Sequence, residues 1–333
     1  MNRWLKMAVS AVLLMHGSNA IQAAPSPDEI ATYRTLIEQD ARLASVGYRL
    51  AAANAPFCAI KERNPGWVVH DIAQYPDEGL AKAAFGFAEP IQIAALVKYG
   101  PADKAGIQVN DALIGVDDTA IAGLAANSAK TRYGRMASVK TLITEHLAQK
   151  PEITLKLLRQ GKQITAVLDA PPVCASDFQI DPSSQLDAGA QGSMVSITSA
   201  FAEYAADDAE LAAIVAHELA HNILQHRARL DEAKVSRGIG RSFGKSRKAI
   251  LATEIEADRL SIWLLANAGY EPSAALTFWQ RYRREHGVQL LSDGTHLSWS
   301  KRIAIMQAEL DLIAATPSID GKRAPPLMAA PGQ

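Results

Sequence analysis

The stretch ELAAIVAHELAHNILQH, residues 210–226, decides the fold. Its apolar residues recur three and four positions apart, which predicts a buried or half-buried helix, and an aspartate pair precedes it where an N-cap is expected. Positions four apart share one helix face, so His217 and His221 can bind a single ion while Glu218 lies beside it. Two imidazoles and a neighbouring carboxylate are the groups that zinc-assisted peptide hydrolysis needs, namely metal ligands and a general base.

A third protein ligand is required, because two histidines leave a catalytic zinc underbound. His226 is out of phase with the histidine pair, and we expect it to end the helix rather than to bind metal. A second helical pattern places Glu254 and Asp258 four apart on one face. We expect Glu254 to bind the metal and Asp258 to orient a ligand histidine through its second ring nitrogen. The alternative for these acids is a solvated helix face, and Glu256 is the weaker candidate for the ligand.

These motifs together resemble the zinc metallopeptidases of the HtpX and CAAX prenyl protease type, the gluzincins of peptidase family M48. The resemblance covers about residues 186–306, and it includes His296 and the arginine at Arg302. It implies one Zn²⁺ per chain on the two histidines and the glutamate, with Glu218 as the base and with His296 and Arg302 as helpers of the transition state. It also implies that the strand at residues 194–198 holds an extended substrate by edge pairing. Leu297 stands where the family has a proline.

The N-terminus has the order of a secretory signal peptide. Arg3 and Lys6 precede a short apolar run, and small residues surround Ala23 and Ala24. The run is too short to span a bilayer, and no later segment offers an apolar stretch of spanning length. We therefore expect a mature chain without a transmembrane helix in a periplasmic or secreted location. An uncleaved interfacial helix is the alternative.

Composition bounds the partners and the compartment. The chain has 333 residues, which suggests two domains, and a net charge of −1, which gives no reason to expect nucleic acid as a partner. Cys58 and Cys174 are its two cysteines. In an exported protein such a pair suggests a disulfide, which would close the neck of the domain between them. Two separately buried thiols are the alternative.

The residues between the cysteines alternate short strands with turns. Strands are predicted at 91–99 and 111–116, a helix at 137–147, and a hairpin at 153–168 with its turn at Gln160-Gly161. This order resembles a PDZ domain of the bacterial type. The resemblance implies that Phe85, Gly86 and Phe87 form a loop that binds a chain terminus ahead of the peptide-binding strand. In the alternative, both phenylalanines are core residues and the domain is a rigid spacer or lid.

The predicted fold is α+β with two domains, a PDZ-like β-rich domain followed by a mainly helical zincin (gluzincin) metallopeptidase domain. The predicted segments are a signal peptide (1–24), an N-terminal helix (25–56), the PDZ-like domain (57–173), the zinc metallopeptidase domain (174–314) and a disordered tail (315–333).

The functional hypothesis is an exported zinc-dependent endopeptidase of envelope protein quality control, acting on protein or peptide substrates such as unfolded or unassembled envelope proteins. The alternative is a chaperone-like adaptor or binding module. In that alternative His296 is a fourth ligand, and the zinc site is structural or latent.

Overall fold

The computed structural model describes residues 24–124, 132–235, 244–287 and 298–328. Residues 1–23, which make up nearly all of the predicted signal peptide, lie outside them, and so does His296. Within the described residues the chain is α+β, as predicted. None of the described helices is both long enough and apolar enough to cross a membrane.

A long helix, α1 (Pro27–Ala53), begins the described chain. Its first turn is closed by a capping box in which Ser26 and Glu29 satisfy each other's backbone N–H groups. Leu43 and Leu50 are fully buried in the core that also holds the predicted active-site helix. The helix therefore packs along the metallopeptidase half rather than standing free.

A six-stranded antiparallel sheet follows, and its core, which we name the sheet core, is built around Ile91, Leu113, Leu155 and Leu157. The strand order is β2-β3-β4-β6-β7, with β5 paired to β4. These strands are β2 (Trp67–Asp71), β3 (Ile91–Leu96), β4 (Ala112–Val116), β5 (Thr119–Ala120), β6 (Glu152–Arg159) and β7 (Lys162–Asp169). The helices of this part are α2 (Glu78–Phe85), α3 (Pro101–Lys104) and α4 (Gly134–Gln149).

The predicted hairpin is present, because β6 and β7 pair along their whole length across Gln160-Gly161. Both turn residues have positive φ, 50° and 77°. This is the conformation that a two-residue hairpin loop needs to follow the twist of its strands, and glycine adopts it without strain.

A second core, which we name the helical core, contains the predicted metal site. Its helices are α5 (Ser199–Tyr204), α6 (Asp208–Ile223), α7 (His226–Glu232), α8 (Gly244–Asn267), α9 (Ser273–His286) and α10 (Trp299–Ala315). A three-stranded sheet lies against them, formed by β9 (Asp177–Asp181), β10 (Ala188–Ala190) and β11 (Met194–Thr198) in the order β10-β11-β9.

The pairing in this small sheet contradicts the predicted role of residues 194–198. These residues were predicted to hold an extended substrate by edge pairing. They form β11, which pairs antiparallel with β10 on one side and parallel with β9 on the other. Both of its edges are therefore used. Among the described residues the outer edge of β10 pairs with no strand, so the free edge near the active-site helix belongs to β10.

The junction of the two cores contains the predicted disulfide. Cys58 and Cys174 are bonded, with their Cα atoms 5.4 Å apart, and both are buried. Beside the bond, the short strands β1 (Lys61–Arg63) and β8 (Pro172–Cys174) pair antiparallel. The disulfide therefore joins the entry to the sheet core with its exit, as the sequence indicated.

Part of the predicted disordered tail is packed in place. Asn267 at the end of α8 accepts a hydrogen bond from the Arg323 N–H at 2.8 Å and donates one to the Arg323 carbonyl at 2.9 Å. Leu327 and Met328 pack against the helical core. The composition of this segment suggested disorder, but residues 316–328 are held by these contacts, which the composition does not encode.

Candidate metal centre

Helix α6 presents the two histidines. It begins where the side chain of Asp207 accepts a hydrogen bond from the Glu210 N–H, and it ends at Ile223. Ten of its 16 residues are buried and only Asp208 is exposed, so the HELAH segment lies inside the protein rather than on a solvated face. Helix α8 packs directly against α6 and brings Glu254 opposite the histidine pair.

His217, His221 and Glu254 converge. The Nε2 atoms of the two histidines are 3.3 Å apart, and the Glu254 carboxylate oxygens lie 3.5 Å from Nε2 of His217 and 3.6 Å from Nε2 of His221. One ligand atom from each of the three residues lies within 4.8 Å of the others. The i, i+4 spacing on α6 and the separate helix α8 thus meet at one point, as the sequence predicted.

The donor set fits a zinc ion. Two imidazole nitrogens and one carboxylate are a ligand set of catalytic zinc sites, which keep a further position open. The surroundings also favour a cation, since Glu218, Glu254 and Asp258 all lie close to His217. Facing nitrogen lone pairs at 3.3 Å are unfavourable unless a proton or a metal ion lies between them.

The outer nitrogen of His217 meets a buried carboxylate. Oδ1 of Asp258 lies 3.1 Å from Nδ1 of His217, and Asp258 has no exposed surface. Burial would raise the pKa of Asp258, but the Arg302 guanidinium and His217 hold it below its ordinary value. For His217, burial lowers the pKa, but the contacts with Asp258 and Glu254 outweigh it and raise the pKa to about 10. Asp258 therefore lies beside His217, and its orienting role stays a prediction.

Arg302 pairs with the buried Asp258 and lines the cleft at the ligand residues. It donates from Nε to Asp258 Oδ2 at 2.8 Å and from Nη2 to Asp258 Oδ1 at 2.5 Å. Its guanidinium carbon lies 5.1 Å from the ring centre of Trp279 and 4.8 Å from that of Trp299, and the side chain is 3% exposed. Two of its three nitrogens therefore bind Asp258, and its role as a helper of the transition state stays a prediction. His296, the other predicted helper, lies outside the described residues.

The outer nitrogen of His221 meets another histidine. Gln225 has φ 54°, which breaks the helix between α6 and α7 and turns His226 back toward His221. Nδ1 of His226 lies 2.9 Å from Nδ1 of His221, and Nε2 of His226 lies 3.0 Å from Oε2 of Glu256. The sequence reasoning treated His226 as a helix end and Glu256 as a weak ligand candidate. The spacing of residues along one helix does not predict the contact between His226 and His221, because the chain turns between them.

Glu218 lies at the predicted position of the base. Burial raises the pKa of Glu218 to about 7, an effect that His217 opposes and the Glu254 carboxylate reinforces. A carboxylate with a pKa near neutrality can accept a proton and return it at the same pH. The side chain lines the cleft beside the three ligand residues.

A cleft of about 400 Å³ gives access to the site. Ala188 and Ala190 of β10 form one wall, so the free strand edge borders the ligand residues. Asn222 holds this wall to the active-site helix, since its Oδ1 accepts from the Gly192 N–H at 2.8 Å and its Nδ2 donates to Ser176 Oγ at 3.0 Å. Nothing in the sequence singled out Asn222, because its partners are distant in sequence, one just ahead of β9 and the other between β10 and β11.

The phenylalanines of the predicted peptide-binding loop pack in an aromatic cluster around His70. Phe85 ends α2, and Gly86 caps it with φ 66°. Phe87 stacks on His70 with ring centres 4.4 Å apart, and Phe85 lies 5.0 Å from His70. The strand that follows this loop is β3, which is paired on one side with β2 and on the other with β4. The loop therefore contributes to an aromatic cluster, not to an open strand edge.

Among the described strands the sheet core has two edge strands, β2, which pairs with β3 alone, and β7, which pairs with β6 alone. A second cavity of about 160 Å³ lies between β2 and α4. Trp67 and Val69 line it from the strand, and Met136, Val139 and Ile143 line it from the helix.

The comparisons with known proteins agree with this centre. The model of peptidase family M48 matches residues 154–236. The match contains the HELAH segment and ends before Glu254, and it begins within β6, ahead of the predicted domain boundary at 174. A comparison with curated proteins gives no match. The family match and the convergent His-His-Glu set, found independently, support a zinc metallopeptidase.

Proposed function

We propose, from the premise that the chain is a member of peptidase family M48, that it is a zinc-dependent endopeptidase acting on unfolded protein substrates. The single observation that carries this proposal is the meeting of His217, His221 and Glu254 from two helices, with Glu218 beside them in the same cleft. A ligand set of this kind with an adjacent carboxylate is suited to peptide hydrolysis.

His217, His221 and Glu254 would hold the ion, one per chain. Zinc bound by such a set supplies Lewis acidity and lowers the pKa of water toward about 7. Asp258 and Arg302 keep the His217 ring in place by the contacts described above. Because these groups are buried, they lose little freedom when the site fills.

Glu218 acts as the general base. Burial raises the pKa of this carboxylate above its ordinary value, which favours its taking a proton from the attacking water and passing it to the leaving amine nitrogen. The carboxylate lines the cleft beside the proposed ligands, and it is neither a ligand in the proposed set nor a partner of Arg302.

The substrate binds in extended form along β10. Its unpaired edge offers backbone N–H and C=O groups to a peptide, and Ala188 and Ala190 keep this wall of the cleft low. Strand addition of this kind recognises any extended backbone, which suits a protease with unfolded clients.

The sheet core binds a further part of the same substrate in the groove between β2 and α4. Trp67 and Val69 are two apart on β2, so both side chains face one side of the strand and meet the apolar face of α4. An open strand edge beside a groove is the arrangement that PDZ-like domains use for peptides. We therefore place the peptide site in the groove between β2 and α4 and not at Phe85, Gly86 and Phe87.

The proposed compartment is the periplasm or the exterior, and the proposed role is envelope protein quality control. The Cys58–Cys174 disulfide supports it, because such bonds persist in oxidising compartments. The order of charged, apolar and small residues at the N-terminus supports export as well.

The test is to measure bound zinc and the cleavage of casein by the purified chain and by Glu218→Gln. We expect about one zinc per chain in both proteins and a roughly 10²- to 10⁴-fold slower cleavage by the variant, since general base catalysis contributes that much. Glu232→Gln, the same change at an exposed residue of α7, is the matched control and should cleave at the wild-type rate.

Full activity in Glu218→Gln would remove the proposed base. Zinc binding without hydrolysis by the wild-type chain would favour an adaptor or binding module over an enzyme.

A further inference from the structure

The two ligand histidines are held by different groups. Nδ1 of His217 meets Asp258 directly, whereas Nδ1 of His221 meets His226, a third histidine. His226 is 2% exposed, although it begins a helix that is otherwise largely at the surface. A buried histidine with both ring nitrogens in contact is a restrained group, and neither contact is explained by the proposed ligand set.

The direction of each hydrogen bond follows from the ligand role of His221. Nε2 of His221 faces His217 and Glu254, so this nitrogen must present its lone pair to the ion. Its proton is then on Nδ1, which donates to Nδ1 of His226 at 2.9 Å. His226 accepts there, so its own proton is on Nε2, which donates to Glu256 Oε2 at 3.0 Å.

The chain of bonds ends on an ion pair. Arg229 donates from Nη1 to Glu256 Oε2 at 2.6 Å and from Nη2 to Oε1 at 3.3 Å. These bonds stabilise the ionised carboxylate, which can only accept. The lone pair, the two ring protons and the carboxylate charge are thereby arranged in one consistent direction, from His221 through His226 to Glu256.

We propose that His226 is a positioning residue of the metal centre, which holds His221 in the tautomer and ring orientation that bind zinc and relays to it the support of Glu256. The inference rests on the proposed function, since it assumes that His221 is a ligand. His226 itself is not a ligand in this arrangement, because its ring lies on the side of His221 opposite to Nε2.

The test measures zinc affinity by competition with a chromophoric chelator for the full chain and for His226→Leu and His226→Gln. Leucine fills the space without a donor or acceptor, and we expect it to weaken zinc binding by about 10- to 100-fold. Glutamine offers a carbonyl oxygen to His221 and an N–H to Glu256, so it should recover part of the loss. A residue that served packing alone would not distinguish a donor–acceptor side chain in this way.

His146→Leu is the matched control, because Nδ1 of His146 also meets a carboxylate, Asp117 at 2.5 Å, but in the sheet core. It should keep the wild-type zinc affinity. Wild-type affinity in His226→Leu, or no recovery in His226→Gln, overturns the inference while leaving the proposed function intact. Failure of the wild-type chain to bind zinc overturns the proposed function instead.

Discussion

The two cores each contain a buried aspartate gripped by an arginine fork, with nearly the same geometry. In the helical core Arg302 reaches Asp258 at 2.8 Å and 2.5 Å, and in the sheet core Arg135 reaches Asp71 at 2.8 Å and 2.5 Å. Neither aspartate has exposed surface. The two forks differ in the third partner of the carboxylate.

The third partner of Asp258 is a ligand imidazole, whereas that of Asp71 is a backbone N–H. Asp258 Oδ1 lies 3.1 Å from Nδ1 of His217, and Asp71 Oδ1 accepts from the Ala73 N–H at 2.8 Å. The same device therefore fixes a metal ligand in one core and caps a turn in the other. A buried ion pair alone does not mark a functional site. The group that the carboxylate contacts besides its arginine decides whether the pair belongs to a functional site.

The largest expected effect is the loss of stability when either aspartate–arginine pair is removed, each in a separate variant. Asp258→Asn leaves Arg302 buried without its anion, so we expect a loss of about 3–5 kcal/mol in the free energy of unfolding of the metal-free protein. Asp71→Asn should cost somewhat less, because the Arg135 side chain is 12% exposed and can reach water. Urea unfolding in the presence of a chelator measures both.

The zinc affinities of the same two variants then distinguish the roles of the two aspartate–arginine pairs. We expect Asp258→Asn to bind zinc about 10- to 100-fold more weakly, and Asp71→Asn to bind it as the wild type does. Equal zinc affinities in the two variants would contradict the distinction drawn here.

The next effect concerns the bond that joins the cores. Replacing Cys58 and Cys174 together by serine removes a link between residues 116 apart in sequence and should cost about 2–4 kcal/mol of stability. Since the bond lies at the junction and not in the metal centre, zinc affinity should stay at the wild-type value. Thermal unfolding and chelator competition check the two halves of this prediction. A weaker zinc site in the double variant would show that the cores are not energetically separate.

The smallest effect tests whether the sheet core does more than hold itself together. Trp67→Ala removes a wall of the groove between β2 and α4, and we expect cleavage of unfolded casein to slow roughly tenfold, a change of about 1.4 kcal/mol. A peptide too short to span both the groove and the cleft should be cleaved at the wild-type rate. Equal slowing for both substrates would point to a structural role for Trp67 instead.

The sequence predicted the parts of the site that lie on single helices. The four-residue spacings of His217 with His221 and of Glu254 with Asp258 fix shared faces, and these faces meet as expected. His226 was missed because its approach depends on the positive φ of Gln225, which no periodicity reveals.

Strand order was the other limit. A strand's alternation shows which residues point inward but not which strand lies at the edge. Residues 194–198 were therefore predicted to bind substrate although β11 is central, and the loop at Phe85–Phe87 was assigned to an open edge that β2 holds. The elements themselves, such as the hairpin at Gln160-Gly161, were predicted correctly because the turn chemistry is local.

The most direct test of the account is anomalous diffraction at the zinc absorption edge from crystals of the zinc-loaded Glu218→Gln protein. We predict one strong peak within bonding distance of Nε2 of His217, Nε2 of His221 and a carboxylate oxygen of Glu254. A peak elsewhere, or zinc bound without Glu254, would contradict it.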